Sequence, residues 1–111
     1  MKRADRRALD LAAKRLPLSS GEKPLAFEIG NPRLNILPRA FPRPLSKDVK
    51  RIDLVASDQA FYIHAGGDVL RIGWDEILEL SLSEESFVTW LLRDGEKGQV
   101  KVGSDAKIVN F

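Results

Sequence analysis

The alternation of apolar and polar residues is clearest in the middle of the chain, over residues 60–93. A period of two is typical of β-strands, because successive side chains point to opposite faces of a sheet. Gly66-Gly67-Asp68 separates two alternating runs, and glycine readily takes the positive φ of a tight hairpin turn. The centre of the protein is therefore predicted to be an antiparallel meander.

The same pattern predicts seven strands. By residue number they are 25–29, 52–56, 60–65, 69–73, 77–83, 87–93 and 99–103, with a loop over 94–98. The first strand is predicted to carry its large apolar side chains on one face, namely Leu25, Phe27 and Ile29. The fifth strand does the same with Leu78, Leu80 and Leu82.

One helix is predicted before the strands in the sequence and another after them. Residues 2–16 carry four apolar residues at helical spacing, namely Leu9, Ala12, Ala13 and Leu16. Pro17 ends this helix, because proline lacks an amide donor. Near the other end, Ser104 and Asp105 resemble the N-cap of a helix over 106–111. Either that helix is short, or the protein continues beyond Phe111.

These elements predict a mainly β (α+β) fold. We expect a bent antiparallel sheet, or a partly open barrel of about seven strands, capped at one end by the start of the C-terminal helix. A length of 111 residues suits one domain. Within it, residues 1–17 are the predicted N-terminal helix and residues 22–111 the β domain.

The segment 30–50 contains four of the six prolines, and proline cannot donate to the ladder of a central strand. We therefore predict a long loop, with residues 34–37 suited to a short edge strand. Its apolar residues argue against disorder and are predicted to pin it on the body: Leu34, Ile36, Leu37, Phe41 and Leu45. Loops of this length in a compact domain are often functional.

Charge is distributed unevenly although the net charge is only +2. Residues 1–51 hold 13 basic and 5 acidic side chains, whereas residues 52–111 hold 5 basic and 11 acidic ones. A basic surface of this kind suits an anionic partner. The alternative is that the two halves neutralise each other within the fold or across a dimer.

Several classes of site are excluded by composition. The chain has no cysteine, which removes disulfides and thiolate chemistry, and its single histidine cannot form a usual zinc site. Alternation places His64 with Tyr62 on the outward face of their strand, while Trp74 and Trp90 are predicted to be core residues. No apolar run is long enough for a membrane span, and charges interrupt any signal peptide, so a cytoplasmic protein is predicted.

The runs LVASDQAFYI, GGDVLRIGWDEILEL and VTWLLRDG resemble bacterial pleckstrin-homology-like (PH-like, GRAM-like) domains. Residues 57–61 stand for the family's "T-D-x-R-L" strand, and residues 71–77 for its "R-I-P-W-x-D-I" corner. The resemblance covers about residues 22–111 and implies a PH-like β domain. It also implies that residues 30–50 are the loop between the first two strands. In lipid-binding members that loop carries basic residues that hold phosphoinositide headgroups.

No catalytic residue, metal site or cofactor is predicted, so we expect a non-enzymatic interaction module. Its most favoured partner is another protein or a second copy of the chain. The alternative is an anionic lipid headgroup or membrane surface, bound by the basic residues of the loop: Arg33, Arg39, Arg43, Lys47, Lys50 and Arg51. Nucleic acid is the least favoured partner, because only Phe41 offers an aromatic platform beside the arginines.

Overall fold

The structure, a computed structural model, describes residues 3–103, which form one α-helix and eight β-strands. The elements are α1 (Arg3–Ala13), β1 (Pro24–Gly30), β2 (Asn35–Ile36), β3 (Ile52–Ser57), β4 (Ala60–Ala65), β5 (Asp68–Gly73), β6 (Ile77–Leu82), β7 (Phe87–Leu92) and β8 (Lys97–Lys101). A 3-10 turn, Trp74–Glu76, joins β5 to β6. The predicted helix over 106–111 lies outside the described residues.

The strands form two antiparallel sheets. The first sheet has the order β1–β3–β4–β5 and the second the order β2–β8–β7–β6. Gly66 and Gly67 both have positive φ in the β4–β5 turn, as the sequence predicted. The prediction of a mainly β, antiparallel fold with an N-terminal helix is confirmed, and the two sheets do not close on each other.

The main hydrophobic core lies between the sheets. Alternate residues of β4, Phe61 and Ile63, point into it and meet Val88 and Trp90 of β7. The ring centroids of Phe61 and Trp90 are 5.8 Å apart. Aromatic side chains bury large apolar areas, so this pair contributes much of the contact between the two sheets. The prediction that Trp90 is a core residue is confirmed, and Trp74 is half-buried at the margin of the core.

A second core lies on the other face of the first sheet, under α1. Leu9, Ala12 and Leu16 of the helical segment pack on Val55 and Tyr62. The predicted apolar face of the helix is thus confirmed, although the α-helix itself ends at Ala13. Strand β3 is buried at every residue, because it has a core on each side.

The structure overturns the prediction that the side chains of Tyr62 and His64 point outward to solvent. Both lie on the face opposite the inter-sheet core, as alternation requires, but α1 covers that face and buries Tyr62 completely. The side chain of His64 keeps only 15% of its exposure. A period of two identifies the two faces of a strand but not what covers them.

Two β-bulges correct the predicted strand faces. One lies between Ile77 and Glu79, so Leu78 is exposed while Leu80 packs on the core. The other lies between Pro24 and Ala26 of β1, where Leu25 is exposed although Phe27 packs under the helix. Ile29 follows in regular register and shares the face of Phe27, as predicted, but its side chain is exposed. A bulge adds one residue to a strand and changes the face on which its side chains lie.

The last strand begins two residues earlier than predicted, at Lys97 rather than Gln99. Gly98 pairs with Trp90 across the β7–β8 ladder, and a Cβ at this position would overlap the indole ring. The glycine that suggested a loop is therefore a strand residue that makes room for Trp90.

Residues 24–36, which we call the corner segment, pass from the first sheet to the second. A Cβ at Gly30 would overlap the side chain of Val100, so the chain turns here against the second sheet. The amide of Asn31 donates to the oxygen of Lys101 at 2.8 Å, and the amide of Lys101 donates to the oxygen of Leu34 at 3.0 Å. The corner segment thus forms an edge of both sheets.

The loop that follows β2 is pinned on the body, as predicted. Phe41 is buried, and Leu37 and Leu45 pack against the inter-sheet core. Leu34 and Ile36 were expected to help, but both side chains are exposed on the corner segment.

Candidate functional site

The basic side chains of the loop have different partners, and Arg43 is held by Asp68. Its Nε and Nη2 donate to the two carboxylate oxygens at 3.1 and 2.9 Å. These hydrogen bonds raise the pKa of Arg43 and lower the pKa of Asp68. Arg43 therefore ties the loop to the β4–β5 turn, and its fork of donors is occupied.

Arg51 is also engaged. Its Nε lies 2.9 Å from Oδ1 of Asp53, whose side chain is 4% exposed. Nδ1 of His64 lies 3.5 Å from the other carboxylate oxygen of Asp53. A buried charge needs a partner, so Arg51 compensates Asp53 and has a structural role.

Arg33 and Lys47 are brought together. They line an open cavity of about 390 Å³, which we call the anion groove, together with Pro32, Leu45, Ser46 and Val49. Both are exposed, and neither forms a salt bridge within residues 3–103. The groove therefore combines two cationic side chains and a hydroxyl group with an apolar floor.

Local hydrogen bonds fix the position of Arg33. Its amide donates to Oδ1 of Asn31 at 2.8 Å, and Nδ2 of Asn35 donates to the oxygen of Pro32 at 2.9 Å. On the opposite wall, the amide of Val49 donates to the oxygen of Ser46 at 3.3 Å, which closes a turn around Lys47. Asparagine side chains commonly stabilise such turns.

The remaining predicted residues, Arg39 and Lys50, are exposed and do not line the anion groove. The amide of Arg39 donates to Oε1 of Glu96 at 2.6 Å, which fixes its backbone against the β7–β8 turn. The six basic residues predicted as one site are thus divided between a groove, two ion pairs and open surface.

The corner segment is also a candidate contact surface. The described residues expose six large apolar side chains, and four of them belong to this segment: Leu25, Ile29, Leu34 and Ile36. The exposed fraction reaches 58% at Ile36. Strand β1 is an edge of the first sheet and β2 an edge of the second, so backbone and apolar side chains are presented together.

A buried polar cluster was missed by sequence reasoning. Glu22 accepts hydrogen bonds from the hydroxyls of Tyr62, at 2.8 Å, and Ser57, and from the amide of Ser19 at 2.9 Å. Burial raises the pKa of Glu22, but these hydrogen bonds outweigh it and hold the pKa below its ordinary 4.5. Every group here is satisfied from within the protein, so the cluster is structural. A glutamate in a turn-rich connector gives no signal of burial.

Other kinds of site lack support in residues 3–103. No group of three or more histidine, aspartate or glutamate side chains there could hold a metal ion. No helix in the same range has both the length and the apolar character needed to cross a membrane.

Comparisons with protein-family models, curated proteins and solved structures find no match to this chain. Its function must therefore be inferred from its own surfaces, of which the corner segment and the anion groove are the two candidates.

Proposed function

We propose that this chain is a non-enzymatic interaction module that binds another protein through its corner segment. The observation that carries the proposal is the concentration of exposed apolar side chains there, Leu25, Ile29, Leu34 and Ile36. Apolar residues scattered singly over a surface are ordinary, whereas a group on one segment is typical of a contact surface.

The edge position of the segment suits this role. An edge strand has unpaired backbone groups, to which an extended partner can add while its side chains meet the apolar ones. Strand β2 has two residues and is followed by Pro38, so a partner here gains more from Leu34 and Ile36 than from a long ladder.

A PH-like architecture and a cytoplasmic location are part of the proposal. The resemblance at residues 57–61 and 71–77 supports the first. The segment 30–50 departs from the family's loop between the first two strands, because it contains the short strand β2. PH-like domains serve as lipid-binding, peptide-binding and structural units, so the architecture agrees with an interaction role without selecting the ligand.

The test compares two exposed apolar residues of similar accessibility. Ile36→Asp places a charge in the corner segment, and Leu11→Asp places one on α1, where Leu11 is 55% exposed. Proteins captured by the wild-type chain and by Leu11→Asp, but lost with Ile36→Asp, would support the proposal. Equal capture by all three chains would contradict it, provided that circular dichroism shows each of them to be folded.

The second candidate function is binding of an anionic headgroup in the anion groove. It is favoured by the convergence of Arg33 and Lys47 beside Ser46. Guanidinium and ammonium groups both suit phosphate oxygens, and the apolar floor suits the glycerol or acyl part of a lipid.

Co-sedimentation with vesicles of phosphatidylcholine containing about one fifth phosphatidylserine tests this candidate. Arg33→Glu and Lys47→Glu should each abolish sedimentation, since a charge reversal replaces attraction by repulsion. Lys50→Glu is the matched control, because Lys50 is exposed in the same loop but outside the groove. Equal loss with Lys50→Glu would indicate only a diffuse charge effect, and no sedimentation of the wild type would exclude the candidate. A short RNA in place of vesicles tests the nucleic-acid alternative.

A further inference from the structure

Strand β6 is an edge strand of the second sheet and exposes an apolar side chain, Leu78, among acidic residues. Leu78 is 55% exposed because the bulge at the start of β6 displaces it from the core. Asp75, Glu76 and Glu79 are exposed beside it in sequence. Arg93 approaches this stretch, but its Nε donates to the backbone oxygen of Asp75 rather than to a carboxylate. The edge therefore stays predominantly acidic.

Strand β2, at the opposite edge of the same sheet, presents the complementary surface. Leu34 and Ile36 are 48% and 58% exposed. Arg33 precedes them and Arg39 follows, and both are exposed without a salt bridge to any residue between 3 and 103. This edge is apolar with a basic surround.

The two edges are far enough apart to be used at the same time. Strands β8 and β7 lie between β2 and β6. Neighbouring strands are about 4.8 Å apart, so the edges are separated by roughly 14 Å. One copy of the chain can therefore contact a neighbour at each edge.

We propose that the partner of the corner segment is a second copy of this chain, bound head to tail. Leu78 of one copy packs on Leu34 and Ile36 of the next, and the carboxylates around Leu78 face Arg33 and Arg39. This inference rests on the proposed function, because it names the occupant of the same surface. The charge asymmetry along the sequence then has a role between copies as well as within one.

The contact is heterologous, since it joins two different surfaces. Such contacts do not pair off into closed dimers but continue into a ring or an open chain of copies. The bulge that exposes Leu78 also breaks the regular edge of β6, so the contact is made by side chains rather than by a continued backbone ladder.

Molar mass by size-exclusion chromatography with light scattering, over a concentration series, tests the proposal on the purified full chain. The wild type should exceed the monomer mass increasingly with concentration, and high salt should reverse this, because it screens the charges. Ile36→Asp and Leu78→Asp should each weaken association about tenfold or more and leave monomers. Leu11→Asp should behave as the wild type, since Leu11 is exposed on α1, which packs on the first sheet, whereas β2 and β6 belong to the second.

A mixture of the two variants gives the decisive result. Ile36→Asp retains an intact β6 edge, and Leu78→Asp retains an intact β2 edge, so each mixed pair can form one junction. Their equimolar mixture should therefore stop at twice the monomer mass. A symmetric contact made by β2 alone would instead leave Leu78→Asp fully associated, which would overturn the head-to-tail arrangement.

A wild-type chain that stays monomeric at all concentrations would overturn the inference, as would a mixture that stays monomeric. The proposed function is tested by a different experiment, the capture of proteins, and is contradicted if Ile36→Asp captures the same proteins as the wild type. If the wild type instead stays monomeric and captures a partner that Ile36→Asp loses, the result would keep the corner segment as the interaction surface, with another protein as its partner.

Discussion

Tyr62 donates its phenolic hydrogen to the carboxylate of Glu22, with the two oxygens 2.8 Å apart, although the two residues are 40 positions apart in sequence. Tyr62 lies in β4 beneath α1, and Glu22 lies in the connector that leads from α1 to β1. This hydrogen bond joins the connector to the first sheet and so holds the helix over its second core.

Replacing Tyr62 by phenylalanine should lower the free energy of unfolding by about 1–2 kcal/mol, because the buried Glu22 carboxylate loses one of its donors. Urea denaturation measures the change. Ser81→Ala is the control: it removes a hydroxyl pair with Thr89 in the second sheet, where both residues are half-buried, and should cost less. Equal losses in the two variants would show that burial of the Tyr62–Glu22 hydrogen bond adds nothing to the free energy of unfolding.

Stability should decline in acid through Glu22. Its folded-state pKa lies below the ordinary 4.5, so its contribution is complete above that value. The contribution is lost as the pH falls from 4.5 through the folded-state pKa. Urea denaturation from pH 7 to pH 3 should therefore show the wild type losing its advantage over Glu22→Gln only below about pH 4.5. A constant difference across the series would contradict the assignment.

Stability should also decline in alkali through Tyr62. Burial and the hydrogen bond to Glu22 raise its pKa above the ordinary 10.0, so its neutral form is favoured in the folded state. This contribution is complete below pH 10 and is lost as the pH rises through the folded-state pKa. Tyr62→Phe should lose less stability than the wild type between pH 9 and pH 11. Parallel curves for the two chains would refute this.

Gly98→Ala should destabilise the protein by about 1–3 kcal/mol, because the added methyl group overlaps the indole of Trp90 in the β7–β8 ladder. Thermal or urea unfolding measures the loss. Combining it with Trp90→Phe should restore part of the difference in a double-mutant cycle, since the smaller ring makes room. Strict additivity of the two substitutions would show that no overlap exists.

Substitution of Arg51 should lower the free energy of unfolding, whereas substitution of Arg33 should not. Arg51→Gln leaves the buried Asp53 without its cation, and we expect the free energy of unfolding to fall by about 1 kcal/mol, since Arg51 is itself partly exposed. Arg33→Gln should leave unfolding unchanged within about 0.5 kcal/mol, because its side chain is exposed. Urea denaturation of both variants measures the difference, and equal losses of stability would contradict the structural role of Arg51.

Local sequence signals identified most of the elements. The alternation around Phe61 and Ile63, the paired glycines 66 and 67, and the apolar spacing of Leu9 and Leu16 all act over a few residues, and the structure has the expected strands, turn and helical segment. Bulges were not visible, because a single extra residue such as Leu78 leaves the pattern of residue types unchanged.

The candidate sites depended on contacts between distant residues. Six basic side chains were predicted to form one site. Only the structure shows that Arg43 forms a salt bridge with Asp68 and that Arg51 forms one with Asp53. Lys47 and Arg33, 14 positions apart, line the same groove only because the chain between them reverses direction. Charge in a sequence can be counted, but whether a charge is paired depends on the chain reversals that bring partners within a few ångströms.

The sequence by itself determined the strand-rich class of this protein, its turns and the apolar face of its helix, because these follow from side-chain periodicity and from the backbone freedom of glycine. Only the tertiary structure decided which faces are covered. Tyr62 is buried because α1 lies over the first sheet, whereas Ile36 and Leu78 are exposed because no described element packs on them. Burial is a property of the packed elements and not of the residue types within one strand.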